Sequence, residues 1–550
     1  MIKYIKDCSS ASLQDFPYCV VGSGAAGISL AISLIRKEHR VLLIDGGDWN
    51  EDAVSDDAYI GHADAPHPAT TEYRRQRFGG TTHLWGGRCV PLDAVDLNVR
   101  SYVPNSGWPI DLHEIEKYYP DAMDYCDAGY ADFSVNALAD NAAPMFDSLV
   151  GLRGSIEERI ERYSLPTDFS KKYKNELGNS SFACVLLRAR CTRLNLTEND
   201  NKVISIEVTD GLHKFEINAT NFILCGGGIE TTRLLLSTRE HAPNWTRFDA
   251  ALGKYYGCHY DLIFGDLSFV GKKPFFDFQK TIDGVYARRK LQFTEAFQAQ
   301  HGLLNSVFRL HFPAYADARH GSGVLSTIYL AKSVLASEHQ SILNHGADSL
   351  DIVNNNKLSH MKNVFTDMGS VFSFGYDYLF KMKLAERKLP YTLVPNRNGS
   401  YPLEFNSEQV PDASNKITLL DQVDTQGIKR VSVHWKLTET DVASGIESFI
   451  QLQRLLATTK SCKLDFDYGE LKERISSALP VGGHHIGTTK MGSSAANSVV
   501  DKNCQLHGIE NLFVASASVF PTNSHANPTL TIIALALRLS DYLTQSDALN

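Results

Sequence analysis

Gly22, Gly24 and Gly27, with Asp45 further along, are the first residues of this sequence whose types and spacing could do chemistry. In a strand, turn and helix, Gly22 permits a tight turn and Gly24 lets the backbone approach a pyrophosphate. Gly27 then lets helix and strand pack closely. The elements needed to place them are legible: an apolar run at 18–21, a helical pattern at 28–37 and a second apolar run at 41–45. The helix start, with Ser23, Ala25 and Ala26 in the turn, presents unpaired N–H groups to phosphates. Asp45, followed by Gly46, sits where a carboxylate accepts hydrogen bonds from an adenosine ribose. Alone the glycines could be a structural turn; with strand, helix and acid they read as a dinucleotide-binding unit.

Residues 74–88 follow, with two double glycines bracketing His83, Leu84 and Trp85 behind a basic run. By composition this is a glycine-rich surface loop; beside the nucleotide motif it reads as a loop that hugs something flat. Strand, glycine turn and helix recur at 222–236 through Gly226, Gly227 and Gly228. Near the end stand the adjacent His484 and His485, and then Asn527-Pro528-Thr529 opening an almost wholly apolar helix to about residue 543. Pro528 suits a first helical turn with Asn527 as its cap, and a buried helix of this kind wants an anion or polarised carbonyl at its positive end. Neighbours in an extended segment point to opposite faces, so only one of the two histidines can face a given ligand. The pair is correspondingly poor at sharing a metal, and no metal is expected.

These groups lie in a chain of 550 residues, 43% apolar and 21% charged, an ordinary globular composition with room for a sizeable core. With 54 basic and 63 acidic residues the formal charge is −9, which gives the whole chain no electrostatic reason to seek nucleic acid or anionic membranes. Ten scattered cysteines lack a Cys-x-x-Cys pair and read as reduced thiols. No signal-peptide pattern and no run of about 18 apolar residues occurs, so a soluble, cytoplasmic protein without a transmembrane segment is expected. Residues 112–119 predict a short helix, and the aromatic-rich 260–475, with alternation at 429–435, predicts a second, sheet-containing domain. The polar stretch 335–362, with His339, His345 and His360, reads either as a flexible loop over a site or as a plain surface excursion. His259 and His507 read as structural.

Five motifs in order carry a resemblance: the Gly22/Gly24/Gly27 turn with its acid, Gly79-Gly80-Thr81-Thr82, Gly227-Gly228-Ile229-Glu230, His484-x-x-Gly487-Thr488, and Asn527-Pro528-Thr529-Leu530-Thr531. From end to end the chain resembles the glucose-methanol-choline (GMC) oxidoreductases, flavoproteins that oxidise an alcohol carbon by passing hydride to FAD. The Asn-Pro ending looks most like the pyranose-oxidase and sterol-oxidase branches. The resemblance implies an α/β fold with a Rossmann-like FAD-binding domain from residues 1–100, 181–260 and 476–550. It also implies a discontinuous substrate-binding domain, an antiparallel or mixed sheet with helices, from 101–180 and 261–475.

The same resemblance assigns roles. His484 falls at the family's catalytic histidine, a general base for the hydroxyl proton, and Asn527 at the second catalytic position, holding the same oxygen. The helix after Pro528, with Thr529 as the foremost donor, would meet charge on the reduced flavin. Flavin and adenine contacts fall on Gly80, Thr81, Thr82, Trp85 and Gly86, on the main chain of Cys191, and on Gly227, Ser516 and Ala517. Ser516 stands where the family often has aspartate. His485 and His525 are candidates to reach substrate, with structural roles as their alternative. Some members bond a histidine of the Gly79-Gly80 loop to the flavin; that place holds Leu84 here, so non-covalent FAD is implied, with His83, one residue earlier, as the alternative link.

The activity implied is oxidation of an alcohol to a carbonyl on a sugar, glycoside or related polyol, with oxygen, a quinone or a redox protein as electron acceptor. Sterol and aryl or aliphatic alcohols are alternatives within the family. A nicotinamide-dependent dehydrogenase and a non-catalytic flavin-binding scaffold are the readings from other classes.

Overall fold

Two apolar runs, Phe16–Val21 and Val41–Ile44, pair in parallel, as strands covered on both faces do. The computed structural model describes residues 1–8, 16–51, 57–139, 143–331, 357–391, 393–394 and 399–547. In it these strands lie in an eight-stranded sheet ordered Ile2–Tyr4, Ala183–Leu187, Val41–Ile44, Phe16–Val21 and Lys214–Leu224, with Leu512–Val514 parallel to the last. Lys214–Leu224 also runs on into an antiparallel ribbon with Val203–Thr209 and Arg190–Leu196. The predicted helix at 28–37 is Ala25–Arg36; it packs on the sheet and against the C-terminal helix Thr529–Asp547. The α/β architecture is the expected one.

A second sheet, nine strands among the described residues, is antiparallel throughout. Its centre is formed by Tyr260–Phe269, Ser400–Ser407, Ser306–Leu310, Tyr286–Phe293 and Ile156–Tyr163. Alternation along these strands sorts side chains by face. Leu291, Phe293, Phe308, Leu403 and Phe405 join Phe449 and Leu452 of the helix Glu439–Ala457 in one apolar core. The other face carries Glu161, Arg288, Lys290, Gln292, Arg309 and Glu404, all inside the molecule. The predicted alternating run at 429–435 is the strand Lys429–His434, in a small third sheet with Lys416–Val423 and His62–Ala63.

The helix expected at 112–119 is two, Leu112–Glu116 and Tyr119–Tyr125, the second carrying Pro120 in its first turn, where a missing N–H costs nothing. Ile115, Tyr119, Ala122 and Met123 enter the core of the first sheet, although the sequence groups them with the second domain, because the apolar C-terminal helix offers them a face. Of the stretch 335–362, residues 335–356, including His339 and His345, lie outside the described residues. The remainder opens the helix Lys357–Thr366, where His360 is buried against the Ser326 hydroxyl at 3.0 Å. All ten cysteines are free thiols, and among the described residues no helix is long and apolar enough to cross a membrane.

Candidate active site

The glycine turn is built as its spacing requires. Gly22 has φ +106°, and a Cβ there would stand 2.7 Å from the Cys225 carbonyl oxygen. A Cβ on Gly27 would stand 1.8 Å from the Gly22 oxygen, so strand and helix touch through missing side chains. A Cβ on Gly24 meets nothing within 4 Å, and that open face borders a groove. No side chain caps the helix Ala25–Arg36, which leaves its first N–H groups for an anion. Ser23 donates to the Asp45 carboxylate through its hydroxyl at 2.6 Å and its N–H at 2.9 Å, and the Gly79 N–H reaches the Ser23 oxygen at 3.1 Å. Turn, acid and second loop are thus one hydrogen-bonded unit. Burial pushes the Asp45 carboxyl above the usual carboxylate range, against the Ser23 and Gly47 donors that pull it down.

The groove runs from Asp45 and Cys191, past the glycine turn, to His484 and Thr529. Gly22, Ser23, Ala25, Ala26 and Gly46 line one part of it, and Gly80, Thr81, Thr82 and Trp85 another. Gly227, Ser516, Ala517 and Pro528 close it. Gly27 sits behind the turn, and His83, Leu84 and Gly86 stand outside the lining. Both His83 ring nitrogens are engaged, by the Gly80 carbonyl at 2.8 Å and by Glu51 at 3.0 Å. Cys191 lines the groove, and burial pushes its thiol up to about 12. Ser516 spends its hydroxyl on Ser518. Three residues of the wall have a buried side-chain donor without a hydrogen bond, Arg190 at Nη2, Thr231 at Oγ1 and His484 at Nδ1. Unsatisfied donors in the wall, an uncapped helix start and an open glycine face fit the anionic, oxygen-rich dinucleotide half of FAD.

Three distant segments converge at the far end. Val481 N–H donates to the His259 carbonyl at 2.7 Å, Gly257 and Ile486 form a two-way bridge, and Thr489 N–H donates to Ser518 at 2.9 Å. Two glycines allow it: a Cβ on Gly257 would stand 2.2 Å from the Asn523 amide, and one on Gly487 2.1 Å from the Tyr255 oxygen. Asn527 Nδ2 then lies 3.2 Å from His484 Nε2. That bond makes Nε2 the acceptor and leaves the proton on Nδ1, which has no partner. Burial, and secondarily the Arg88 guanidinium, lower the His484 pKa to about 3, so its imidazole is neutral throughout the physiological range.

The neighbouring histidines divide. Residues 481–484 form a turn, with His484 N–H on the Val481 carbonyl at 3.0 Å, rather than an extended segment, so both His484 and His485 border the groove. Their rings diverge: His484 packs on His259 with centroids 4.7 Å apart, and His485 stacks on Tyr256 at 6.2 Å. His525 is fully enclosed, 3.1 Å from Asp93 and 3.2 Å from Lys290, and burial lowers its pKa to about 4. It belongs to a buried polar network and does not line the groove.

Sequence reasoning gave His259 a structural role and missed its contact with His484, against whose ring it is buried. Gly257 two residues earlier was its available signal, a mark of close backbone approach. It also missed the polar sheet face. There Arg309 pairs with Glu161, Arg288 reaches Glu404 at 2.7 Å and the Tyr391 hydroxyl at 2.6 Å, and Arg88 lies 3.6 Å from Glu161 and 3.7 Å from Glu404. Arg88, 22% exposed, is the least enclosed of the three guanidinium groups and the one whose charge acts on His484.

A family model described as GMC oxidoreductase matches residues 411–536, which include His484 and Asn527. Over 142 residues the chain is 34% identical to 2-methyl-1,2-propanediol dehydrogenase of Mycolicibacterium austroafricanum, covering 25% of this chain and 24% of that protein. Over 118 residues it is 34% identical to C-glycoside 3-oxidase of Arthrobacter globiformis, covering 21% of each. The match thus spans a quarter or less of these relatives. Among solved structures, a fungal aryl-alcohol oxidase superposes over 97% of this chain and 99% of its own with a TM-score of 0.53 at 14% identity, a likeness of fold. Residues 411–536 thus match the GMC oxidoreductase family, and the fold of the chain is like that of the aryl-alcohol oxidase.

Proposed function

We propose that this chain oxidises a hydroxyl of a sugar, glycoside or related polyol, with FAD held non-covalently along the glycine groove of the first sheet and substrate met by the polar face of the second. The observation that carries the reading is the neutral His484 with Asn527 3.2 Å away at the end of that groove. FAD, when bound, supplies the hydride acceptor. His484 Nε2 takes the hydroxyl proton as the carbonyl forms, and it needs no prior deprotonation because burial already keeps it neutral. Asn527 Nδ2 donates to the same oxygen and fixes which hydrogen faces the acceptor. The start of the helix Thr529–Asp547 borders the groove and offers N–H groups to negative charge developing there.

Two further observations support the finer parts. His83, with both nitrogens engaged, and the apolar Leu84 leave the loop without a free nucleophile for a flavin bond. An enclosed sheet face of arginine, glutamate, lysine and tyrosine suits a substrate rich in hydroxyls better than a sterol, whose burial would strand those groups without partners. Anaerobic bleaching of the yellow holoprotein against sugars, glycosides, sterols and aryl alcohols tests the reading, with polyols expected to bleach it. His484→Ala should keep its flavin and slow reduction by roughly 100-fold or more. An unchanged rate would overturn the assignment.

A further inference from the structure

The stretch 357–391 is unlike the rest of the surface. Within the helices Lys357–Thr366 and Met368–Asp377 and the turn Tyr378–Lys383, apolar residues recur at three- and four-residue steps and face solvent: Leu358, Met361, Phe365, Met368, Phe372, Tyr376 and Phe380. Phe365 is 68% exposed and Phe372 71%, and Met368–Asp377 buries none of its residues. The inner side of these segments, through Phe374, Asp377 and Lys381, roofs a cavity of about 1010 Å³ whose opposite wall includes Phe278 and Tyr391. An exposed aromatic surface of this extent marks an interaction site.

Charge says what kind. Residues 357–391 hold six basic side chains, Lys357, Lys362, Lys381, Lys383, Arg387 and Lys388, against three acidic ones, Asp367, Asp377 and Glu386. Asp367 is buried on the Gly323 N–H, Asp377 and Lys381 pair at 2.8 Å, and Arg387 turns inward onto the Asp127 and Tyr163 carbonyls, which leaves Lys357, Lys362, Lys383 and Lys388 against Glu386. A second copy docked through the same face would set two positive patches against each other, which disfavours a symmetric dimer. An anionic bilayer accepts both features: aromatic and methionine side chains enter the boundary between headgroups and acyl chains, and lysines stay among the phosphates. The net charge of −9 does not prevent this, because screening over about 8 Å confines the attraction to the local patch.

We propose that the 357–391 face docks peripherally on an anionic lipid surface. This stands independently of the redox reading. The test is co-sedimentation of the flavin-loaded full chain with vesicles of phosphatidylcholine alone or with phosphatidylserine. Binding to the phosphatidylserine vesicles is expected, weakened by added salt. It should fall roughly fivefold for each of Lys362→Ala and Lys388→Ala and be abolished in Phe365→Glu/Phe372→Glu, whose flavin spectrum and melting temperature stay as in the parent. Absence of binding to either vesicle overturns the proposal. So does equal binding by the double glutamate variant, or a solution dimer that this variant dissolves while vesicles capture nothing.

Discussion

The glycine groove of the first sheet and the polar face of the second make room for chemistry by opposite means. The groove works by removal: Gly22, Gly24 and Gly27 leave backbone exposed or in contact where side chains would stand. The polar face works by cancellation, setting Arg288, Arg309 and Arg88 against Glu161 and Glu404 within the molecule. At Gly22 and Gly27 removal tolerates no added atom, whereas cancellation tolerates no lost partner. The two regions should therefore fail differently.

The largest effect belongs to Gly27→Val, whose Cβ would collide with the Gly22 carbonyl oxygen; the purified protein is expected to carry no flavin by absorbance. Next, Arg309→Met leaves the Glu161 carboxylate buried without its main partner and should cost about 3–5 kcal/mol in urea unfolding. Retention of flavin by the folded fraction would mark this as damage to the second region alone. A smaller effect comes from pH. Burial holds His484 at about 3 and His311 and His525 at about 4, while in the unfolded chain each titrates near 6.5. The unfolded state then binds more protons below about 6.5, so stability is full above that pH and falls as pH drops toward 4. Urea midpoints measured across that range should decline toward acid, and a flat profile would show these imidazoles are not buried neutral. The smallest effect is His83→Ala, which should leave acid release of flavin unchanged if no bond links that side chain to the cofactor.

The same contrast explains what could be read beforehand. Missing side chains leave a spacing pattern, so the Gly22 turn, its strand and helix, and the Gly487 and Pro528 landmarks were visible in one dimension. Charge cancellation leaves none. Glu161, Arg288, Arg309 and Glu404 come from four strands, and their alternation with apolar neighbours looks the same whether the polar side meets water or another domain. The adjacent histidines were legible in part: their rings diverge, His484 onto His259 and His485 onto Tyr256, although both residues border the groove. The place of His259 against His484 is set by tertiary contact, which Gly257 marked only as a close approach of backbone.

One feature of the first sheet bears on how the protein is made. Leu512–Val514 inserts beside Lys214–Leu224, and the helix Thr529–Asp547 clamps onto Ala25–Arg36 through Ser33 to Ser540 at 2.8 Å and Lys37 to Asp541 at 2.6 Å. Segments early in this sequence are therefore completed by segments synthesised much later. On the ribosome the early strand and helix wait with their apolar sides uncovered, so cofactor loading belongs after translation, and a nascent chain halted before residue 512 should depend on chaperones.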